Sequence, residues 1–448
     1  MKRIKIALGI FSFFCFSSIQ GNAQEQVWVN FFESSLKGQE VNLPKKIKTL
    51  KASKIENARA EIWKSWVEAN MRLEEEKLIP LDSLSLGKSG TWHLPEELEP
   101  SAFMNYYWGY KGCAPSEGYP LFLYLHGSGP KDSEWSSGLR LANMFDDAPS
   151  IYFIPQIPNM GKYYRWYHQS KQYAWEKLIR LMMLRPDVDP NRFYMLGISE
   201  GGYGSQRMAS FYADYLAAAG PMAGGEPLKN APVENCSNIG FSLRTGERDF
   251  AFYRNILTEY TRLAFDSLAQ KHPDKYQRKI ELIPGYGHGI DYRPTPVWLK
   301  KFVRNPWPKQ VLWEDFEMDS VHRKGFYNLV VLERPDKDLR TRYKLNIDNN
   351  RVDLVVEDVH YVTTQIDPHW DIEMKFEKSY TLSKKGRVLI YLNEYLVDLN
   401  KPITVMLNGR EVYKGKVKCS KMHMARSLAT FYDSQRIYPA AIEVIIKE

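Results

Sequence analysis

The chain has 448 residues, 44% of them apolar and 25% charged, the balance of a folded globular protein too long for one small core. Its formal charge is +8, and removing residues 1–23, which carry three basic and no acidic side chains, leaves +5. That surplus is too weak to mark a nucleic-acid-binding surface, and four cysteines at wide spacings make neither a zinc site nor a redox pair.

At the N-terminus, Lys2, Arg3 and Lys5 precede an apolar run from Ile6 that ends in Gly21-Asn22-Ala23. The pattern predicts a signal peptide over 1–23, cut near Ala23, and hence a periplasmic or secreted protein. The run is too short to span a bilayer comfortably and nothing later looks transmembrane, so no stable membrane anchor is expected. In an oxidising compartment Cys113 and Cys236 are candidates for a disulfide, with isolated thiols as the alternative.

From Lys51 to Leu78, Ile55, Ala58, Ile62 and Trp66 recur at helical spacing and predict an amphipathic helix in an N-terminal extension over 24–95. Residues 96–307 then alternate strand and helix: "YPLFLYLHGSGP", "SIYFIPQIP", "YAWEKLIRLMMLRP" and "FYMLGISEGGYGSQR". That order predicts an α/β fold with a mostly parallel sheet flanked by helices. Near Asn305 "NPWPKQ" marks a boundary, and strand-like runs joined by Asn349-Asn350 and Asn408-Gly409 turns predict a small all-β domain over 308–448.

Gly197-Ile198-Ser199-Glu200-Gly201 fits G-x-S-x-G between an apolar strand and a helix. Such a turn lifts the Ser199 hydroxyl above the sheet as a nucleophile, with glycines where side chains would collide. A serine needs a base, and His288 in "IPGYGHGIDY" follows a later strand between two glycines. "LRTGERDF" supplies the acid that would orient it, Asp249 in preference to Glu247. Oxyanion donors are expected from the amide of Glu200 and from Ser128 or Gly129 in the loop after "LYLHG", where His126 reads as structural. No metal-ligand spacing is visible, and such a triad needs no metal or cofactor.

Residues 161–175, "GKYYRWYHQSKQYAW", follow a strand and should lie at the same end of the sheet. They offer Tyr163, Tyr164, Trp166 and Tyr167 as flat faces, and Lys162, Arg165 and Lys171 as charges; Arg293 is a further candidate. The aromatic content of 14% serves either a large core or ring-stacking recognition.

Over roughly residues 100–300 the landmarks "LYLHGSGP", "VDPNRFYMLGISEGGYGS", "RTGERDF" and "GYGHG" resemble the α/β-hydrolases, in particular the secreted esterases that include polyhydroxyalkanoate depolymerases and feruloyl or acetyl esterases. Glu200 after the serine and the two flanking regions depart from that pattern. The whole layout resembles exported polysaccharide esterases of gut bacteria, among them pectin methylesterases acting on rhamnogalacturonan II. The resemblance implies a serine esterase that cleaves pectin methyl esters through an acyl-serine, with plant cell-wall oligosaccharide or pectin as its partner. Acetyl or feruloyl esterase, serine peptidase and an inert glycan-binding protein are the alternatives.

Overall fold

The computed structural model describes residues 23–39 and 48–447, so the expected signal peptide falls outside the described residues except for Ala23. Two helices, α1 (Ala23–Leu36) and α2 (Ile55–Arg72), pack against each other. The predicted spacing is the buried face of α2: Ile55, Ala58, Ile62, Trp66 and Ala69 all turn inward. Phe32 meets Trp66 edge-on at 5.1 Å, and Trp66 stacks on Tyr432 at 5.7 Å, tying both helices to the far end of the chain. The helix stops at Arg72, short of the predicted Leu78. The acidic run beyond it turns aside to pair, Glu75 with Arg180 at 2.6 Å and Glu76 with Lys177 at 3.2 Å.

Strands β1 (Ser89–His93), β2 (Phe103–Lys111) and β3 (Tyr119–Leu125), helix α3 (Lys131–Met144), β4 (Ser150–Pro155), α4 (Gln169–Met183) and β5 (Val188–Ile198) begin the central layer. Helix α5 (Glu200–Phe211), β6 (Ala218–Met222), β7 (Gly240–Gly246), α6 (Arg254–Lys271), β8 (Arg278–Ile283) and α7 (Pro294–Leu299) complete it. The strands form one sheet in the order β1-β2-β4-β3-β5-β6-β7-β8, antiparallel through the β1–β2 and β2–β4 pairs and parallel from β4 to β8. This is an α/β-hydrolase fold. Every residue of β3 is buried because both faces are covered: Leu121, Leu123 and Leu125 enter one core, Phe122 and Tyr124 the other. The first strand, residues 89–93, lies inside the stretch read from sequence as the N-terminal extension; its pairing along Phe103–Tyr107 makes it part of the sheet.

After Asn305 the chain builds two further sheets. One, in the order β17-β16-β13-β12-β9, uses β9 (Gln310–Asp315), β12 (Arg340–Asp348), β13 (Arg351–Asp367), β16 (Ile403–Leu407) and β17 (Arg410–Gly415), with β14 (Ile372–Leu382) paired to β13. The other, in the order β10-β11-β15-β18, uses β10 (Gly325–Phe326), β11 (Leu329–Glu333), β15 (Lys385–Leu392) and β18 (Ala440–Lys447). The strand reading of the sequence misses one helix here, α8 (Lys421–Phe431), whose N-terminus is capped by the Ser420 hydroxyl accepting from the His423 amide at 3.2 Å. One apolar core runs without a break from α1 and α2, across one face of the large sheet, into both C-terminal sheets.

A fully buried ionic cluster crosses the same junction. Arg436 donates to Asp214 at 2.6 Å and to Asp433 at 2.7 Å; Arg304 reaches Asp433 at 2.7 Å and Arg323 reaches Asp214 at 3.0 Å. Removing one partner from such a cluster leaves carboxylates uncompensated in the interior, a loss of roughly 3–5 kcal/mol. Arg436→Met should therefore lower unfolding stability by about that amount in a denaturant titration. A loss below about 1 kcal/mol would mean that the cluster does not hold the junction.

Candidate active site

Ser199 stands between β5 and α5 with φ 58° and ψ −115°, a conformation that costs a non-glycine residue about 1–3 kcal/mol. The surroundings impose it. The Ser199 amide donates to Met222 O on β6 at 3.0 Å, while α5 starts at the next residue. A Cβ on Gly201 would overlap Leu125 O at the end of β3, and one on Gly197 would overlap the Gly201 carbonyl. The strand breaks so abruptly because the helix must begin against the backbone of its neighbours.

The predicted partners converge on this serine. His288, in the loop between β8 and α7, places Nε2 3.0 Å from Ser199 Oγ and Nδ1 2.7 Å from Asp249 Oδ2. The carboxylate accepts a hydrogen bond from Nδ1–H, which leaves Nε2 to accept from the hydroxyl. Asp249 is buried, and Arg254 Nη1 donates to its other oxygen at 2.9 Å, fixing the carboxylate plane. Glu247, the alternative acid, turns away: its Oε2 accepts from the Gly285 amide at 2.9 Å and braces the loop that carries His288.

Both predicted donor segments adjoin the serine. Ser128 lines the same cavity as Ser199 and Glu200. Among the described residues no acceptor faces the amide of Ser128 or of Glu200. Gly129 packs over the Glu134 side chain instead. His126 is structural, as expected: its Nε2 accepts the Ile157 amide at 3.1 Å and its Nδ1–H reaches Gly127 O at 2.8 Å. Burial lowers its pKa to about 4, so it stays neutral.

Of the substrate-contact candidates, Arg165 and Tyr167 line the cavity. Trp166 is fully buried and donates its indole N–H to His126 O at 2.9 Å. Tyr164 donates its hydroxyl to Gly127 O at 2.6 Å. Both support the donor loop from below, because its backbone carbonyls need partners there. Lys171 is buried in an ion pair with Glu99. Arg293 is exposed, pairs with Asp291 at 2.8 Å and does not line the cavity. Cys113 and Cys236 are free thiols, the first exposed and the second buried, so the candidate disulfide is not formed.

The cavity holds about 530 Å³. Tyr203 and Arg207 line it from α5, at one-turn and two-turn spacing from Ser199, a helical repeat that sequence reading could have followed. Glu226, Phe252 and Arg254 form its sides, and Trp370 comes from the turn between β13 and β14. The C-terminal region thus supplies part of the wall. Asp367 at the end of β13 accepts from the Tyr253 hydroxyl at 2.7 Å, and Trp370 lies 4.3 Å from the Phe252 ring. A larger hollow of about 880 Å³, among Ala52, Asn349 and Tyr395, contains none of these residues.

No protein-family model matches the chain, and no curated protein matches it. Among solved structures it is similar to a thermostable esterase, with 22% identity and a TM-score of 0.38 over 48% of this chain and 63% of that one, less than two thirds of its length. It is also similar to a ferulic acid esterase (15% identity, TM-score 0.35, 48% of this chain and 96% of that one). Esterase 2 of Thermogutta terrifontis, phosphorylated by paraoxon, matches at 12% identity and a TM-score of 0.36, over 48% of this chain and 92% of that one.

Glu200 is the unusual residue of the site. Burial, reinforced by the neighbouring Glu226, pushes its carboxyl up to about 7, against the pull of Arg165, Arg207 and Arg254. An unfolded chain releases that proton near the usual 4.5, so the folded state loses stability as pH rises from about 4.5 to about 7. Glu200→Gln should raise the Tm relative to the parent at pH 8, with the advantage shrinking towards zero at pH 4. An equal difference at both pH values would contradict this assignment.

Proposed function

We propose that the chain is a serine carboxylic-ester hydrolase working through an acyl-serine. The observation that carries this reading is the continuous contact Asp249–His288–Ser199, with spacings of 2.7 and 3.0 Å. In this mechanism Ser199 Oγ attacks the ester carbonyl and passes its proton to His288 Nε2. Asp249 holds the ring and stabilises the imidazolium. The tetrahedral oxyanion is received by the amides of Glu200 and Ser128, at the positive end of α5. His288 then protonates the departing alkoxide, and water activated by the same imidazole releases the acid.

For the substrate we propose an ester of plant polysaccharide, with a methyl ester of pectin, as in rhamnogalacturonan II, ahead of acetyl or feruloyl esters. Three arginines and four carboxylates line the cavity, and Arg165, which pairs with no carboxylate among the described residues, supports an acidic substrate. The aromatic pair Phe252–Trp370 is the feature that keeps a feruloyl group in contention, because a flat acyl ring would stack there. The basic and apolar N-terminus supports export to the periplasm or beyond.

Ser199→Ala should lower hydrolysis of p-nitrophenyl acetate by about 10⁴- to 10⁶-fold, and Asp249→Asn by about 10⁴-fold, with folding retained by circular dichroism. A parental rate in Ser199→Ala would end the esterase reading. Incubation with pectic oligosaccharides carrying both methyl and acetyl esters should release methanol. Acetate without methanol would move the assignment to an acetyl esterase.

A further inference from the structure

The basic side chains of the cavity are unevenly satisfied. Arg207 is held by Glu226 at 2.6 Å and Arg254 by Asp249 at 2.9 Å. Arg165 has only a neutral partner, the Tyr167 hydroxyl at 2.7 Å, and no carboxylate pairs with it among the described residues. The Tyr203 hydroxyl and Arg254 Nε are closed to solvent, and the Tyr203 hydroxyl interacts with Arg254. Arg165 and its Tyr167 partner are therefore the polar pair of the wall left to meet an anion. Beside them the Trp370 ring is 45% exposed, held at the tip of the long β13–β14 hairpin by the Phe252 ring.

Building on the esterase reading, we propose that Arg165 and Trp370 form a recognition subsite for a carboxylate-bearing sugar ring adjoining the ring that carries the ester. The planar guanidinium of Arg165 receives the carboxylate, and the indole covers the ring face. Glu200, Glu226, Asp371 and Glu373 also line the cavity and oppose an anion, but Glu226 is paired with Arg207 and Glu373 with Lys229. Asp371 is exposed at the hairpin turn, where water screens it. Glu200 keeps its proton up to about pH 7, and an anion bound beside it favours that proton further. Affinity for an acidic ligand therefore falls as pH rises through about 7, more steeply than affinity for a neutral one.

The test compares kcat/KM for a partly methyl-esterified trigalacturonate, which keeps free carboxylates, with that for p-nitrophenyl acetate. Arg165→Ala should lower the ratio of the two about 10- to 100-fold, the range for loss of a charge-assisted contact, with partial recovery in Arg165→Lys. Trp370→Ala should raise KM for the trimer more than it changes kcat. Circular dichroism of each variant separates these effects from misfolding. A ratio in Arg165→Ala within twofold of the parent overturns the subsite, as does a parent with no preference for the acidic trimer over its fully esterified, uncharged counterpart. Either result leaves the esterase reading standing, because that reading depends on the Ser199→Ala assay alone.

Discussion

Three backbone segments meet at Ser199 with no space for a methyl group between them. The end of β3, the end of β5 and the first turn of α5 touch through Leu125 O, Gly197 and Gly201. That close approach forces the serine into its strained angles and aims its hydroxyl away from the sheet. It also brings the Glu200 amide and the loop carrying Ser128 to the same side. A second approach of the same kind fixes the base: a Cβ on Gly246 would overlap Gly287 O, so the end of β7 sits directly against the loop that bears His288. The geometry of the site is therefore held by main chain, which yields far less than side chains do.

The rest of the chain is not an appendage to this arrangement. The C-terminal sheets share an apolar core with the large sheet, and the buried cluster around Arg436 spans the same boundary. The β13–β14 hairpin carries that rigidity back to the cavity. Its contact with Phe252 and Tyr253 fastens the far wall to residues that also have positive φ, 53° and 56°. Such angles persist only where neighbours hold them, and here the hairpin is that neighbour. Folding of the C-terminal region and shape of the cavity are thus one problem: what loosens the first widens the second.

Much of the site could be read from residues because the chemistry demands particular types in a particular order. A glycine-flanked serine after a buried strand, a glycine-flanked histidine and an acid after an intermediate strand leave few choices, and Asp249 separates from Glu247 by its reach into the loop. What could not be read is which side of a loop a residue faces. Trp166 and Lys171 share a segment with Arg165, yet the first supports the His126 carbonyl and the second neutralises Glu99, both fully buried. The segment passes from a loop into the start of α4 within a few residues, so no single period runs through it, and aromatic and basic content there points equally to core and to cavity. Trp370 was illegible for a different reason: it lies 171 positions from Ser199, and only the length of β13 and β14 carries it over the site. Helix α8 was missed because its neighbours are strands and its polar residues dilute the apolar repeat.

The carboxyl next to the nucleophile looks at first like an obstacle. At the first position of α5 a negative charge is favoured by the helix dipole. The same charge beside the amide proposed to receive an oxyanion would raise the barrier to attack. Burial reconciles the two. With Glu226 close by, Glu200 keeps its proton far above the usual carboxyl range, and the arginines that surround it prevent that shift from growing larger. Those arginines are themselves committed: Arg207 to Glu226, and Arg254 to the acid that orients the base. The charges of the cavity therefore form one interlocked set whose members fix one another's ionisation. Arg165 stands at its edge with a phenol for a partner, and the cationic character left to an incoming substrate is concentrated on that side chain.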